Sequence, residues 1–255
     1  MNVDNLLDLY TDYLLVTPTY STATSLSLLT DNKVSHDQIT RLLSSSINSK
    51  TLWSEVKSMV HEISSSDGLL IIDDSIDPKK HTKSNSLITW HYDHCSGKSV
   101  KGVNFVSSYY YSPTYNIGLP VGVEFVKKDV AFLDKKGKTA YKSKQTKNEM
   151  MRNMVAHANY NIGFKYVLAD SWFSSSENMS CITQDCKSDF VMALKSNRIV
   201  ALSEKNKVEG IYQSIESLML EERTMSVYLK QYSEPVLIAK QVFKNGDGST
   251  DLSSI

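Results

Sequence analysis

The chain has 255 residues, 41% of them hydrophobic, enough for one large domain or a domain with an appendage. Lys+Arg and Asp+Glu both total 28, so overall charge by itself suggests no partner. No apolar run approaches the ~18 residues needed to span a membrane, and the acidic opening MNVDNLLDLY lacks the basic start of a signal peptide.

Residues 1–66 read as helices and hold 4 basic and 7 acidic side chains. Leu6, Leu7, Tyr10, Tyr13 and Leu14 fall at helical spacing. Ser35-His36-Asp37-Gln38 has the form of a capping box and opens a helix with Ile39, Leu42 and Leu43 inward. Leu52, Val56, Val60 and Ile63 mark one stripe of a further helix. Thr22–Leu29, a polar turn through Asp31-Asn32-Lys33 and Ser35–Ser44 match a helix-turn-helix or an ordinary helical hairpin. The acidic balance favours the hairpin, because it opposes DNA phosphates.

From Gly68 the period becomes that of strands. GLLIIDD is a buried-strand pattern ending in carboxylates. SLITWHYDH and VKGVNFVSSYYYS flank a turn at Ser96-Gly97-Lys98, and LPVGVEFVKK gives a further strand. Thr146-Lys147-Asn148-Glu149 is another capping box, starting a helix through Met150, Met154, Val155 and Ala158. The apolar run Tyr166–Ala169 then empties onto Asp170, and Ser174-Ser175-Ser176-Glu177 caps a short helix. DFVMALK is the next strand. MSVYLKQY and PVLIAKQVF pair as a hairpin turning near Ser233-Glu234-Pro235. Helices, a three-strand meander, a helix and a strand ending on an acid make an α/β fold with a mixed sheet.

Residues 79–165 carry 15 basic against 5 acidic side chains, either a solvated face or a phosphate-binding surface. Two buried strands end on aspartates, Ile71-Ile72-Asp73-Asp74 and Val167-Leu168-Ala169-Asp170. An unpaired buried carboxylate costs several kcal/mol, so two that converge need a cation or hydrogen-bond donors. Mg²⁺ meets that need and also binds phosphate oxygens. A pair of such ions about 3.5–4 Å apart serves in-line displacement at phosphorus. Alternatively each aspartate caps its own loop, and spacing leaves both readings open. The three cysteines, Cys95, Cys181 and Cys186, lack a framework spacing, which fits a reducing compartment and a cytoplasmic protein. His91-Tyr92-Asp93-His94-Cys95 looks metal-like, but on a strand His94 faces away from His91 and Asp93, so structural or DNA-proximal roles are expected. Cys181 and Cys186 lack the second ligand pair of a zinc site.

LLIIDDSIDPKKHTKSNS, WHYDHCSGKSVKGVNFVSSYYYS and YVLADSWFSSSENM, in this order, resemble insertion-sequence transposases of the DDE class. DLYTDYLL, ATSLSLL and VSHDQITRLLS are similar to the N-terminal helices of that group, so the resemblance spans roughly residues 6–245. It implies a ribonuclease H-like mixed sheet flanked by helices, with an N-terminal helical region at 1–66, a catalytic domain at 67–255 and a C-terminal β-hairpin insertion. The first acid falls on the first strand and the second on the fourth. The strands at 69–74, 87–94, 101–110 and 165–170 take those places, leaving one near 119–126 as surplus.

The resemblance further implies metal-dependent cleavage at transposon ends followed by strand transfer. Its cofactor would be Mg²⁺ or Mn²⁺, and its partner double-stranded DNA at both transposon ends and target. A homodimer is expected at full length, with no membrane role. Carried over residue by residue, Asp170 matches the second acid. The first is Asp73 or Asp74, and Asp74 followed by Ser75 better fits the acid-then-Thr/Ser pattern. Neighbours on a strand face opposite ways, so only one reaches the metal, and Asp74 and Asp170 are the expected ligands. Lys79 and Lys80 are candidate DNA-backbone contacts or solvated turn lysines.

The pattern departs at its end. The class carries a third acid in a Tyr-x-x-Arg-Trp-x-x-Glu-like segment after the hairpin, and no such segment occurs here. Glu204, Glu209, Glu216, Glu221 and Glu222 precede the hairpin, and Glu234 lies in its turn. The expectation is therefore a chain truncated before the third acid and inactive alone. Its alternative is a non-catalytic remnant that binds DNA or another subunit. An unrelated metal-dependent phosphohydrolase is the third reading.

Overall fold

The structure is a computed structural model that describes residues 3–18, 20–44, 49–93, 96–218, 224–244 and 250–254. It divides into two compact units, Met1–Asn48 and Ser49–Ile255. None of its described helices is long and apolar enough to cross a membrane.

The first unit holds α1 (Val3–Val16), α2 (Ala23–Leu29) and α3 (His36–Leu43). Leu6 and Tyr13 of α1 meet Leu26, Val34, Ile39 and Leu42 in a small core of its own. The capping box at Ser35 forms, with its N–H donating to Gln38 Oε1 at 2.9 Å. Asp31 and Asn32 turn the chain between α2 and α3 at φ 51° and 58°, the left-handed region that these two residue types tolerate.

The second unit begins with α4 (Ser49–Ile63) and β1 (Leu69–Pro78), followed by β2 (Ile88–Asp93), β3 (Lys98–Ser112) and β4 (Ile117–Phe125). After β5 (Lys128–Leu133) and β6 (Thr139–Ser143) come α5 (Lys147–Asn161), β7 (Tyr166–Ala169), α6 (Ser176–Ser180) and β8 (Asp189–Met192). The helix α4 thus goes with the sheet, whereas the sequence division at 66/67 grouped it with the N-terminal helices. Its apolar stripe explains this, since Trp53, Val60 and Ile63 join the core of the second unit.

The main sheet has six strands in the order β2-β3-β1-β7-β8, with β4 also on β3. The first strand pairs antiparallel with β3 and parallel with β7, so the sheet is mixed and flanked by helices. Two details differ from the sequence reading. The segment near 119–126 is no surplus, because β4 pairs with Phe105–Ser112 of β3 while β2 pairs with Lys98–Val103. Fifteen residues of β3 span about 50 Å, long enough to take two partners end to end. Nor does β1 stop at its aspartates, since it continues against β3 to Pro78.

One face of the sheet is the core. Leu70, Ile72, Val106, Val167 and Met192 alternate into it and meet Met150, Met151, Met154 and Val155 of α5. Each such side chain contributes about 1.5–3 kcal/mol by leaving water. Tyr110 also reaches this core, and its hydroxyl accepts the Ser65 N–H at 2.9 Å. Its ring leaves no room at Gly68, where an added Cβ would lie 2.3 Å from the hydroxyl oxygen, so glycine is required where the chain enters β1. On the opposite face Ile71, Leu168 and Val191 line a shallow depression, with Val191 41% exposed.

The remaining elements are β9 (Ile199–Ala201), α7 (Glu204–Glu209), β10 (Gln213–Ser214), β11 (Met225–Leu229), β12 (Pro235–Ile238), β13 (Lys240–Lys244) and β14 (Thr250–Ser254). The expected hairpin forms as β11 and β12, but inside a four-stranded sheet with β9 and β10. A separate pair joins β13 to β14. Glu221 and Glu222 lie outside the described residues.

Candidate active site

The site is built where two strands part company. Pairing of β1 with β7 runs from Leu69↔Tyr166 to Ile72↔Ala169, and then β7 ends while β1 goes on. The next residues in that register are Asp73 and Asp170, on strands about 4.8 Å apart. Asp74 follows one residue further along β1. All three aspartates line a cleft of about 500 Å³ together with Tyr92, Asp93, Lys147, Trp172 and Lys195. Alternation along β1 puts Asp74 on the side of Leu70 and Ile72, and Asp73 on the side of Ile71. Asp170, just past the end of its strand, reaches both sides, and with Asp73 it also borders the shallow apolar depression.

Crowding of like charge is visible at Asp170. Burial pushes its carboxyl above the ordinary aspartate value, and Asp74 and then Asp73 push it further the same way. The Trp172 N–H, donating to Asp170 Oδ1 at 3.0 Å, works against that shift. Asp170 therefore also caps the short turn Ser171–Phe173, so the capping role and the cleft role coexist in one side chain.

Asp74 has an internal counter-ion. Lys147 Nζ pairs with Asp74 Oδ2, and both side chains are only 20% exposed. Lys147 is the first residue of α5, after the Thr146 cap. A cation there faces the positive end of the helix dipole, an unfavourable place by about 0.3–1 kcal/mol. The carboxylate offsets it. Two ammonium groups lie over the Trp172 ring, Lys147 Nζ 5.9 Å and Lys195 Nζ 5.8 Å from its centroid.

A buried polar network holds these parts in place. Asn178 is fully buried, and its Nδ2 donates to Asn148 Oδ1 at 2.7 Å and to the Phe173 carbonyl at 2.9 Å. Arg152 donates to Asn178 Oδ1 at 2.8 Å. These bonds tie α6, the turn after Asp170 and the first turn of α5 into one block. Arg198 braces the same turn by donating to the Ser174 carbonyl. The cap of α6 is Ser175 rather than Ser174, whose hydroxyl instead donates to the Ser171 carbonyl at 2.8 Å.

Of the other sequence candidates, Asp93 lines the cleft, while Lys79, Lys80 and His91 do not. Lys79 pairs with Asp77 at 2.8 Å, Lys80 is exposed, and neither lines it. His91 is buried with Nε2 lacking a partner among the described residues, and its pKa is pushed down to about 4 by burial and by the charges of Lys128 and Lys147. His94 and Cys95 lie outside the described residues. Cys181 and Cys186 are free thiols, and burial chiefly pushes Cys186 up to about 11, far from thiolate chemistry. Lys147, Trp172 and Lys195 join the site without a motif that marks them, and Asp93 joins it from a stretch expected to be structural or DNA-proximal. The one signal for Lys147 was a lysine, where an acid is the usual choice, just inside a capping box.

The donor set suits a hard divalent cation. It offers aspartate oxygens, and burial and mutual repulsion leave Asp170 wanting positive charge. Among the described residues no three His, Cys, Asp or Glu side chains enclose a metal position by themselves. Mg²⁺ commonly takes only one or two carboxylates and completes its shell with water and substrate phosphate, so Asp74 and Asp170 in one cleft fit that pattern.

No curated protein matches the chain. Residues 4–214 match the family described as DDE superfamily endonuclease, whose substrate is DNA and whose members act with divalent metal ions. With most of its length so matched, and its aspartates gathered at the parting of β1 and β7, the chain belongs to the DDE superfamily endonucleases.

Proposed function

We propose that this protein is a cytoplasmic transposase, cutting DNA at the ends of an insertion sequence and joining the freed 3′-hydroxyl to a target. The observation that carries the reading is the convergence of Asp74 and Asp170, from residues far apart in sequence, on one cleft rimmed by Lys147 and Lys195. Asp74 and Asp170 would hold Mg²⁺ or Mn²⁺. A bound ion supplies the Lewis acidity that displacement at phosphorus needs. Asp73, which borders the same cleft but alternates towards Ile71, adds negative charge rather than a direct ligand. Lys147 and Lys195 neutralise the phosphodiester on its way in, and Trp172 bounds the cleft beside both. Lys79 and Lys80 would meet the DNA backbone outside the cleft. Assembly as a homodimer brings two ends together.

The same cleft limits what the 255 residues do alone. Among the described residues no glutamate lines it, and Asp74 is already occupied by Lys147. A second ion at catalytic distance needs another carboxylate to offset its charge, and of the two further aspartates that line the cleft Asp73 is turned by strand alternation towards Ile71, while Asp93 accepts the Ser96 hydroxyl at 2.6 Å. Weak cutting is therefore the expectation for this chain by itself. The same observation favours a second reading, a protein that binds DNA or a sister subunit without cutting. A nicking assay with Mn²⁺ on supercoiled DNA carrying the element's ends separates them. Nicking that disappears in Asp170→Asn supports the transposase. Retention of DNA binding with no nicking under any divalent ion supports the binding protein and overturns the first reading.

A further inference from the structure

Residues 127–144 carry seven lysines against two aspartates. Within this stretch β5 and β6 form a two-stranded sheet of their own, outside the six-stranded one. Both faces of the hairpin are open, with Phe132 40% exposed on one, and Leu133 72% and Tyr141 57% exposed on the other. An isolated hairpin is marginal in water, and like charges along it weaken it further. Such an element is completed by a polyanion lying along it, whereas a second copy of the same ribbon would add repulsion.

Its two ends are well made. At the tip, Asp134 Oδ1 accepts the N–H groups of Lys136 and Lys138, both at 2.8 Å, and Gly137 turns the chain at φ 73°. Lys135, Lys136 and Lys138 are thereby presented together. At the root, the Lys128 N–H donates to the Ser86 carbonyl at 2.7 Å and its Nζ to the Trp90 carbonyl at 2.6 Å. Burial depresses the Lys128 pKa, and the charge of Lys147 adds to that, so the root lies within electrostatic reach of the lysine paired with Asp74. Strand rise from Lys128 to Leu133 is about 17 Å, which matches about five base pairs, or half a turn, of B-form DNA.

We infer that the β5–β6 hairpin is a second DNA-contacting element, a basic ribbon gripping the backbone of the duplex about half a turn from the aspartate cleft. Lys135, Lys136 and Lys138 hold phosphates, and Phe132, Leu133 and Tyr141 give the ribbon apolar body against the sugars. The choice of partner rests on the transposase reading, but its test does not depend on cleavage. It adds an anchoring surface distinct from Lys79 and Lys80.

The experiment measures binding of a 40-base-pair duplex across a salt series. It compares the unaltered chain, the triple variant Lys135→Gln, Lys136→Gln, Lys138→Gln, and a charge-matched control, Lys57→Gln, Lys205→Gln, Lys230→Gln. Each phosphate contact contributes about 0.9 to the slope of log affinity against log salt, so the ribbon variant should lose about 2–3 units. The control should lose less than one. Lys136→Glu alone, which leaves the Asp134 turn intact, should weaken binding at low salt more than tenfold. Equal slopes for the ribbon variant and the unaltered chain overturn the inference. So does a ribbon variant that binds DNA normally but no longer self-associates, which would give the surface to a second copy. A chain that never nicks DNA yet shows the slope change refutes the proposed activity and leaves the ribbon standing.

Discussion

Lys147 Nζ pairs with Asp74 Oδ2 in a setting where both side chains are four-fifths buried, so the carboxylate proposed as a metal ligand already holds a cation. Ammonium and divalent ion compete for the same oxygen. Removing the ammonium leaves Asp74 uncompensated and raises its appetite for metal. Lys147→Met should therefore bind Mn²⁺ about threefold to tenfold more tightly by calorimetry, a gain on the order of 1 kcal/mol. Unchanged or weaker binding would mean that the lysine and the ion do not share Asp74.

Asp170 carries the opposite tension. Its raised pKa means that the ionised form is disfavoured in the fold by burial and by Asp74 and Asp73. That penalty is absent below the ordinary aspartate pKa and grows as pH rises through the raised one. At neutral pH without metal, Asp170→Asn should relieve it while keeping the bond from the Trp172 N–H. Its melting temperature should rise by about 2–4 °C in metal-free buffer. Added Mg²⁺ should stabilise the unaltered chain and leave the variant unmoved. A variant less stable than its parent in chelator would contradict this.

The Asn178 network is expected to hold the site together at a measurable cost when broken. Asn178→Leu leaves Arg152, the Asn148 amide and the Phe173 carbonyl without their buried partner. Each loss costs about 1–3 kcal/mol, so urea unfolding should show a drop of at least about 2 kcal/mol. A neutral result would mean that water replaces the side chain.

His91 makes stability depend on acid. Its pKa, lowered to about 4, keeps it neutral in the fold while the unfolded chain takes a proton near the ordinary histidine value of 6.5. Stability is present above that value and is lost as pH falls towards 4. Between pH 6.5 and 5 the loss should be about 1.5 kcal/mol in urea titrations. It should shrink in His91→Phe, which fills the same buried place without titrating. An equal slope in both proteins would place the proton elsewhere.

Much of this was legible in residue patterns, and the failures have physical causes. Short apolar runs ending in acids located β1, β7 and Asp170, because one face buried and the other half-buried leave a nearly continuous hydrophobic signature. The capping boxes at Ser35 and Thr146 form as read, since both partners lie within one helical turn. What period analysis cannot see is which strands pair. By period, 87–94 falls in the meander and 119–126 outside it, although the length of β3 lets both segments pair with it. The β5–β6 hairpin escaped notice because lysines interrupt its alternation, though Asp134 and Gly137 bracket a turn. Lys147, Trp172 and Lys195 reach the cleft only through tertiary packing. No local spacing records that.

The most direct measurement is an Mn²⁺ titration, read by electron paramagnetic resonance, on the unaltered chain and on Asp74→Asn, Asp170→Asn and Asp73→Asn. The ion is expected between Asp74 and Asp170, while Asp73, which borders the same cleft but alternates towards Ile71, contributes only charge. Asp74→Asn and Asp170→Asn should each weaken binding by more than tenfold, and Asp73→Asn by no more than about threefold. Binding that survives in Asp170→Asn, or that is lost equally in Asp73→Asn, would contradict the assignment of the site.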